Sequence, residues 1–277
     1  KLVSCYGKIT TTQPSYASMF HGCTIMTSCD VSEWDVSLVT NFGTAYHDGM
    51  FGYCPALVSI NTANWIFNSS SSITFSSVFY GDSNLTTIGD TSGWNTSKFT
   101  TLLYTFRDCV KLLSLNTSAW NLSSVTNLYY TFNGCTVLGI LDVSSWNVSS
   151  ISFNSVFSGC SALTTVGDTS GWNTTKFTTI NSLFSHCTVL SSVDVSGWDV
   201  SNITDFGTNY DSGAFGYCPA LTSLDCSAWT FSSTSNISFA GVFSSDSNLT
   251  TIGDTSDWNT TKFTTMDSTF YQCAKLT

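Results

Sequence analysis

Nine tryptophans impose the strongest constraint on this chain. They stand at Trp34, Trp65, Trp94, Trp120, Trp146, Trp172, Trp198, Trp229 and Trp258, with gaps of 31, 29, 26, 26, 26, 26, 31 and 29 residues. A phenylalanine three residues ahead of a cysteine marks the same units, at Phe20/Cys23, Phe51/Cys54, Phe106/Cys109, Phe132/Cys135, Phe157/Cys160, Phe184/Cys187, Phe215/Cys218 and Phe270/Cys273. Aspartate replaces the cysteine at Phe79/Asp82 and Phe243/Asp246, and Leu or Met follows three residues later, from Met26 to Leu276. A period of this size signals an array whose single unit cannot bury its apolar residues but whose stacked units can. Residues 82–92 recur letter for letter at 246–256, and 51–57 recur at 215–221, both offset by 164. Six units therefore form a super-repeat.

Within a unit, Leu112-x-x-Leu115-x-Thr117 has an inner-strand pattern. A turn at 118–123 leads to a second alternating stretch, Val125–Leu128, and Phe132-x-x-Cys135 closes the unit. The expected fold is an all-β-rich repeat solenoid: a right-handed, leucine-rich-repeat or β-helix-like stack of about ten coils of 25–31 residues, forming one domain over 1–277. Each coil should rise by one strand spacing, about 4.8 Å. Composition agrees. Ser and Thr number 89, there is one glutamate (Glu33) and one arginine (Arg107), and β-branched and aromatic residues abound, which excludes a mainly helical protein. A net charge of −10 with no basic cluster argues against nucleic acid or anionic lipid as partner. No apolar run reaches the roughly 18 residues of a membrane span.

The string Phe-x-x-Cys-x-x-Leu-x-x-Leu-Asp-x-Ser-x-Trp-Asp/Asn-x-Ser-x-Val-Thr resembles the BspA-like leucine-rich repeat, also known as the DUF285 surface-protein repeat. Residues 184–204 match it nearly throughout, with Cys187, Leu190, Val193-Asp194, Trp198-Asp199 and Ile203-Thr204. The resemblance covers essentially the whole chain. It implies a secreted or surface-displayed array used for adhesion or scaffolding, with no enzyme activity attached.

Eleven Asn-x-Ser/Thr triplets, at Asn68, Asn84, Asn95, Asn116, Asn121, Asn147, Asn173, Asn202, Asn236, Asn248 and Asn259, are candidate N-glycosylation sites. Five directly follow a repeat tryptophan. The bland alternative is that the turn wants Asn or Asp there, since Asp35 and Asp199 take the same place. Stacked Phe-x-x-Cys thiols fit either buried apolar residues or disulfides. Cys5 and Cys29, three residues after Leu2 and Met26, form a possible staple, and eleven cysteines leave at least one thiol unpaired within the chain. Asp30, Asp142, Asp194 and Asp225, with Asp90, Asp168 and Asp254 displaced by one place, read as solvent-facing strand residues rather than a calcium row.

His21, His47 and His186 are scattered, so neither general acid–base nor metal catalysis has its parts; no enzyme, cofactor or metal is expected. Insertions in the 31-residue units, with Tyr46, His47, Asp48, Tyr210 and Asp211, should project as lateral contact loops. The chain opens (Lys1-Leu2-Val3) and closes (Lys275-Leu276-Thr277) at one phase of the repeat, and its last unit shows no polar cap, which suggests continuation head to tail with itself. The expected function is a non-catalytic extracellular structural protein building a glycosylated fibre or surface coat. The alternative is an adhesin presenting its Ser/Thr/Asp face to carbohydrate, matrix or another cell.

Overall fold

The structure, a computed structural model, describes residues 4–6, 9, 13–67, 70–148, 152–232 and 234–277. Leu2, Thr10 and the sequon asparagine Asn68 lie outside them. Among the described residues there is no helix. Nine short strands occur: β1 (Ser4–Cys5), β2 (Ser28–Asp30), β3 (Asn41–Gly43), β4 (Ser59–Asn61), β5 (Ile73–Phe75), β6 (Phe99–Thr101), β7 (Asp205–Gly207), β8 (Ile237–Phe239) and β9 (Phe263–Thr265). They pair in parallel as β1-β2-β4, β3-β5-β6 and β7-β8-β9. Single parallel bridges carry the pairing onward, from Thr101 to Asn127 to Ser152 and from Ser59 to Thr87. Every such pair joins residues one unit apart, the topology of a repeat solenoid.

The strands are shorter than the sequence pattern suggests. Leu112–Thr117 forms no ladder strand, and Val125–Leu128 contributes one bridge, at Asn127. The reason is the corners. At Trp−4 and Trp+1 an Asp or Asn side chain accepts the backbone N–H two residues on, as Asp142 does from Ser144 and Asn121 from Ser123. Thr101 and Thr179 hydroxyls do the same for Leu103 and Asn181. Such side-chain-to-backbone bonds compete with ladder pairing and close turns. A coil turned this often keeps only two or three residues per side for pairing, and the abundance of Ser, Thr, Asn and Asp is the composition of its corners.

A third ladder runs through residues that are not β-strand. The N–H of each Phe of the Phe-x-x-Cys column donates to the carbonyl just before the next coil's Phe: Phe79 to Thr105, Phe106 to Thr131, Phe132 to Val156. The N–H groups two residues either side do likewise, as with Ser77 to Leu103 and Gly81 to Arg107. These flanking residues have positive φ: Ser18, Ser77, Tyr104, Tyr130, Ser155 and Ser182 before the Phe, and Gly22, Gly81, Gly134 and Gly159 after it. Alternating left-handed with right-handed backbone turns every second N–H the same way, toward the following coil.

Side chains stack in register inside this frame. Trp94, Trp120, Trp146, Trp172 and Trp198 form a continuous ladder, with neighbouring rings 5.8–6.4 Å apart and within 8° of parallel. The column Phe rings stack from Phe20 to Phe270. The sheet residues Phe75 and Phe99 lie only 5.0 Å apart, as do Phe239 and Phe263.

Candidate functional surfaces

Two rows of corner residues flank the tryptophan ladder. At Trp−4 stand Asp30, Asn61, Asp90, Asn116, Asp142, Asp168, Asp194, Asp225 and Asp254. These residues face solvent, as the spacing suggests, but beyond Asp30 and Asn61 at the ends of β2 and β4 they lie outside strands, and the carboxylates are turn acceptors taking both the N–H and the hydroxyl of the serine two residues on. Those bonds hold Asp30, Asp90, Asp142, Asp168, Asp225 and Asp254 below the ordinary carboxylate range. Asp90, Asp168 and Asp254 share the corner with the others. Their extra residue is absorbed upstream at Gly89, Gly167 and Gly253, which have φ of 80–85°. A Cβ on Gly167 would sit 2.6 Å from Asp142 Oδ1. Among the described residues no group of three or more His, Cys, Asp or Glu is arranged to hold a metal ion.

At Trp+1 the same turn is built mainly with asparagine. Asn95, Asn121, Asn147, Asn173 and Asn259 are exposed. Asn95, Asn173 and Asn259 take the N–H and hydroxyl of Ser97, Thr175 and Thr261 on Oδ1. Asn116 and Asn236 are also exposed. The remaining sequon residues differ. Asn84 is half-buried; its Nδ2 donates to Pro55 O at 2.6 Å and its Oδ1 accepts Lys111 Nζ at 2.6 Å. Asn248 repeats this arrangement with Pro219 and Lys275, both at 2.7 Å. Asn202 is exposed but donates to Thr175 O.

Cys54, Cys109, Cys135, Cys160, Cys187 and Cys218 are buried free thiols. Each donates its S–H to the carbonyl of the preceding coil's Phe, at 3.0–3.1 Å. Burial raises their pKa values, so they are poor nucleophiles. Where Asp replaces Cys, Asp82 Oδ1 accepts Cys54 N and Asp246 Oδ1 accepts Cys218 N, while both Oδ2 atoms are buried without a partner. Burial pushes Asp82 well up and Asp246 to about 8. Cys5 and Cys29 are register partners on β1 and β2, and both are free.

The insertions do not project; they fold down onto the following coils. Asp48 accepts the N–H groups of Thr44 and Ala45, closing its loop on itself. Tyr46 packs against Tyr80 and Tyr104, and Arg107 lies over the rings of Tyr80, Tyr104 and Tyr130 at 4.7–5.7 Å. One super-repeat later Tyr210 packs against Tyr217 and Tyr271, and His186 stacks on Tyr217 at 4.3 Å. His47 stacks on Tyr53, and Asp211, which stays exposed, hydrogen-bonds the Tyr217 side chain. This aromatic cluster is the feature sequence reasoning missed. The signal was Tyr104 and Tyr130 in a place where the other units carry Gly or Ser, with Tyr53 and Tyr217 in a second place where most carry a small or polar residue.

The family model described as "Mycoplasma protein of unknown function, DUF285" matches residues 14–138, 100–217 and 211–277. No curated protein matches the chain. Among solved structures, a leucine-rich repeat protein from Bacteroides ovatus aligns with a TM-score of 0.39 at 16% identity, covering 94% of this chain and 67% of that one.

Proposed function

The chain belongs to the DUF285 family, and from that premise we propose that it is a non-catalytic structural repeat protein of the cell exterior, N-glycosylated along one edge and continued end to end into a fibre or coat. The observation that carries the glycan reading is the division of labour between two turns of like geometry. The Trp−4 turn holds seven Asp and two Asn, whereas the Trp+1 turn holds five Asn and two Asp. Turn formation alone is served by either residue. Both rows are exposed and are followed two residues on mainly by Ser or Thr, yet the amide is concentrated in only one of them. Intact-mass measurement before and after enzymatic removal of N-glycans tests this; an unchanged mass for material from its native source rejects it.

End-to-end continuation is supported by polarity. Gly241, Phe243 and Ser245 donate their N–H groups to the next coil's Asp267, Thr269 and Tyr271 carbonyls. The equivalent N–H groups in the last coil belong to Ser268, Phe270 and Gln272, and the equivalent carbonyls in the first belong to Ala17, Met19 and His21. Phe270 is 38% exposed, while its column partner Phe243 is fully buried. A further coil, from the same polypeptide or a second copy, would meet a matching donor row and an uncovered ring. Light scattering on the purified 277-residue chain distinguishes the sources. Concentration-dependent assembly supports stacking between copies, and a stable monomer at high concentration rejects it.

One observation favours the adhesin reading. Tyr53, Tyr104, Tyr130, His186 and Tyr217 are held at positive φ in places that most other coils fill with Gly or Ser, and two with Asp108 and Gln272. Bulky residues there cost on the order of 1 kcal/mol or more each, and they gather in the aromatic clusters. Negative-stain images showing single short rods would support a binding module; long filaments would support the structural reading.

A further inference from the structure

The sequons are not equivalent, and the structure separates them by what the carboxamide already does. In the exposed group, Asn95, Asn116, Asn173 and Asn259 use only Oδ1, engaged within their own turn by the residue two places on. Asn121 is the same, with Ser123 N–H on Oδ1. Nδ2, the atom that an N-linked sugar would occupy, is directed at no protein group in these turns. A sugar joined there leaves the turn bonds intact.

Asn84 and Asn248 are the reverse. Each side chain bridges three successive coils: Nδ2 is spent on the proline carbonyl of the coil before, and Oδ1 on the lysine ammonium of the coil after. The bridge recurs with every partner shifted by 164: Pro55 and Pro219, Asn84 and Asn248, Lys111 and Lys275. Lysine is scarce, with seven in the chain, yet two stand where they meet these asparagines. A glycan replaces one of the two Nδ2 hydrogens, and at these half-buried side chains it would compete for the space that the proline and lysine partners occupy.

Resting on the glycan reading above, we propose that this chain carries two functional classes of sequon. The exposed asparagines Asn95, Asn116, Asn121, Asn147, Asn173, Asn236 and Asn259 are glycan acceptors. Asn84 and Asn248 are inter-coil clasps that stay unmodified. Glycans then line the corners beside the tryptophan ladder, and the clasped face stays bare for contact.

Site-resolved glycopeptide mass spectrometry on the full chain, secreted from a host with N-glycosylation, tests the division. The expected result is sugar on the turn asparagines and none on Asn84 or Asn248. Sugar on either clasp residue in folded protein overturns the proposal while leaving the glycan reading standing. Sugar nowhere removes the glycan reading and the acceptor half of this proposal together. The clasp half is read separately by hydrogen exchange. N84A should speed exchange of amides near Pro55 and Lys111 severalfold, and N116A should not. Equal exchange in the two variants overturns the clasp. Because N84A could affect folding, K111A, which keeps the sequon and removes only the outer bond, provides the second arm and should speed exchange in the same segments.

Discussion

At the scale of single residues, the thiol column and its two carboxyl replacements make opposite use of one position. A cysteine there supplies one weak donor to a carbonyl and otherwise behaves as a small apolar group. Asp82 and Asp246 place a second oxygen in the same apolar surroundings, with Cys54 and Cys109, or Cys218 and Cys273, as the titratable neighbours and no cation facing them. Burial therefore raises the pKa of each. For Asp246 the folded pKa, about 8, lies above that of the unfolded chain, so the folded state binds the extra proton. Its stabilisation is complete below the unfolded carboxylate range and is lost as pH rises through about 8. Melting temperature should fall between about pH 4 and pH 8 in the parent and less steeply in D246N; parallel curves would contradict this. The Trp−4 carboxylates act in the other direction, their contribution disappearing as pH falls through their lowered pKa values. The column itself was legible in the sequence because Asp82 and Asp246 sit in register with eight cysteines. Their orphan oxygens were not, because burial of a carboxyl is a property of the neighbouring coils.

At the scale of the coil, the tryptophan is a plank shared by its neighbours. Trp146 stacks on Trp120 and Trp172 and also meets Phe132 and Phe157. W146A should cost about 3–5 kcal/mol, and nearest-neighbour coupling should confine the loss to adjacent coils. Hydrogen exchange mapped along the chain checks this; uniform loosening would count against it. The inserted loops depend on glycine for a different reason. A Cβ on Gly49 would fall 1.8 Å from Ser77 O, and one on Gly213 1.8 Å from Gly241 O. Backbone cannot yield as a side-chain tip does, so G49A should unseat its loop and cost several kcal/mol. A near-parent denaturation midpoint would refute the close approach. Coil boundaries, the Trp and Phe ladders and the inward Leu were readable from spacing alone. The brevity of the strands was not, since Leu112–Thr117 alternates like a strand while Asn116 closes a corner inside it. The loops also looked free in the sequence, because nothing local to Tyr46 reveals that Tyr80 and Tyr104 lie beneath it.

At the scale of many coils, stability is a sum over interfaces, and in residues 1–277 taken alone a coil stacked on one side only is the weakest term. Trp258 and Phe263 are half-buried where their counterparts Trp94 and Phe99 are buried. In the isolated chain, proteolysis and exchange should therefore begin within 254–277 and advance coil by coil, and assembly should suppress this; first cleavage in the middle of the stack would contradict it. The one-way ladder beside the Phe column has an electrical consequence. In each linked pair the carbonyl and the N–H that follows it belong to the same peptide unit, one pointing backward and the other forward. Two or three peptide dipoles per coil, each about 3.5 D, thus add along the stack from Ser18 to Tyr271. The rod is an electret with its positive pole at the last coil, so a field should align it head from tail, and every coil added in register lengthens the dipole.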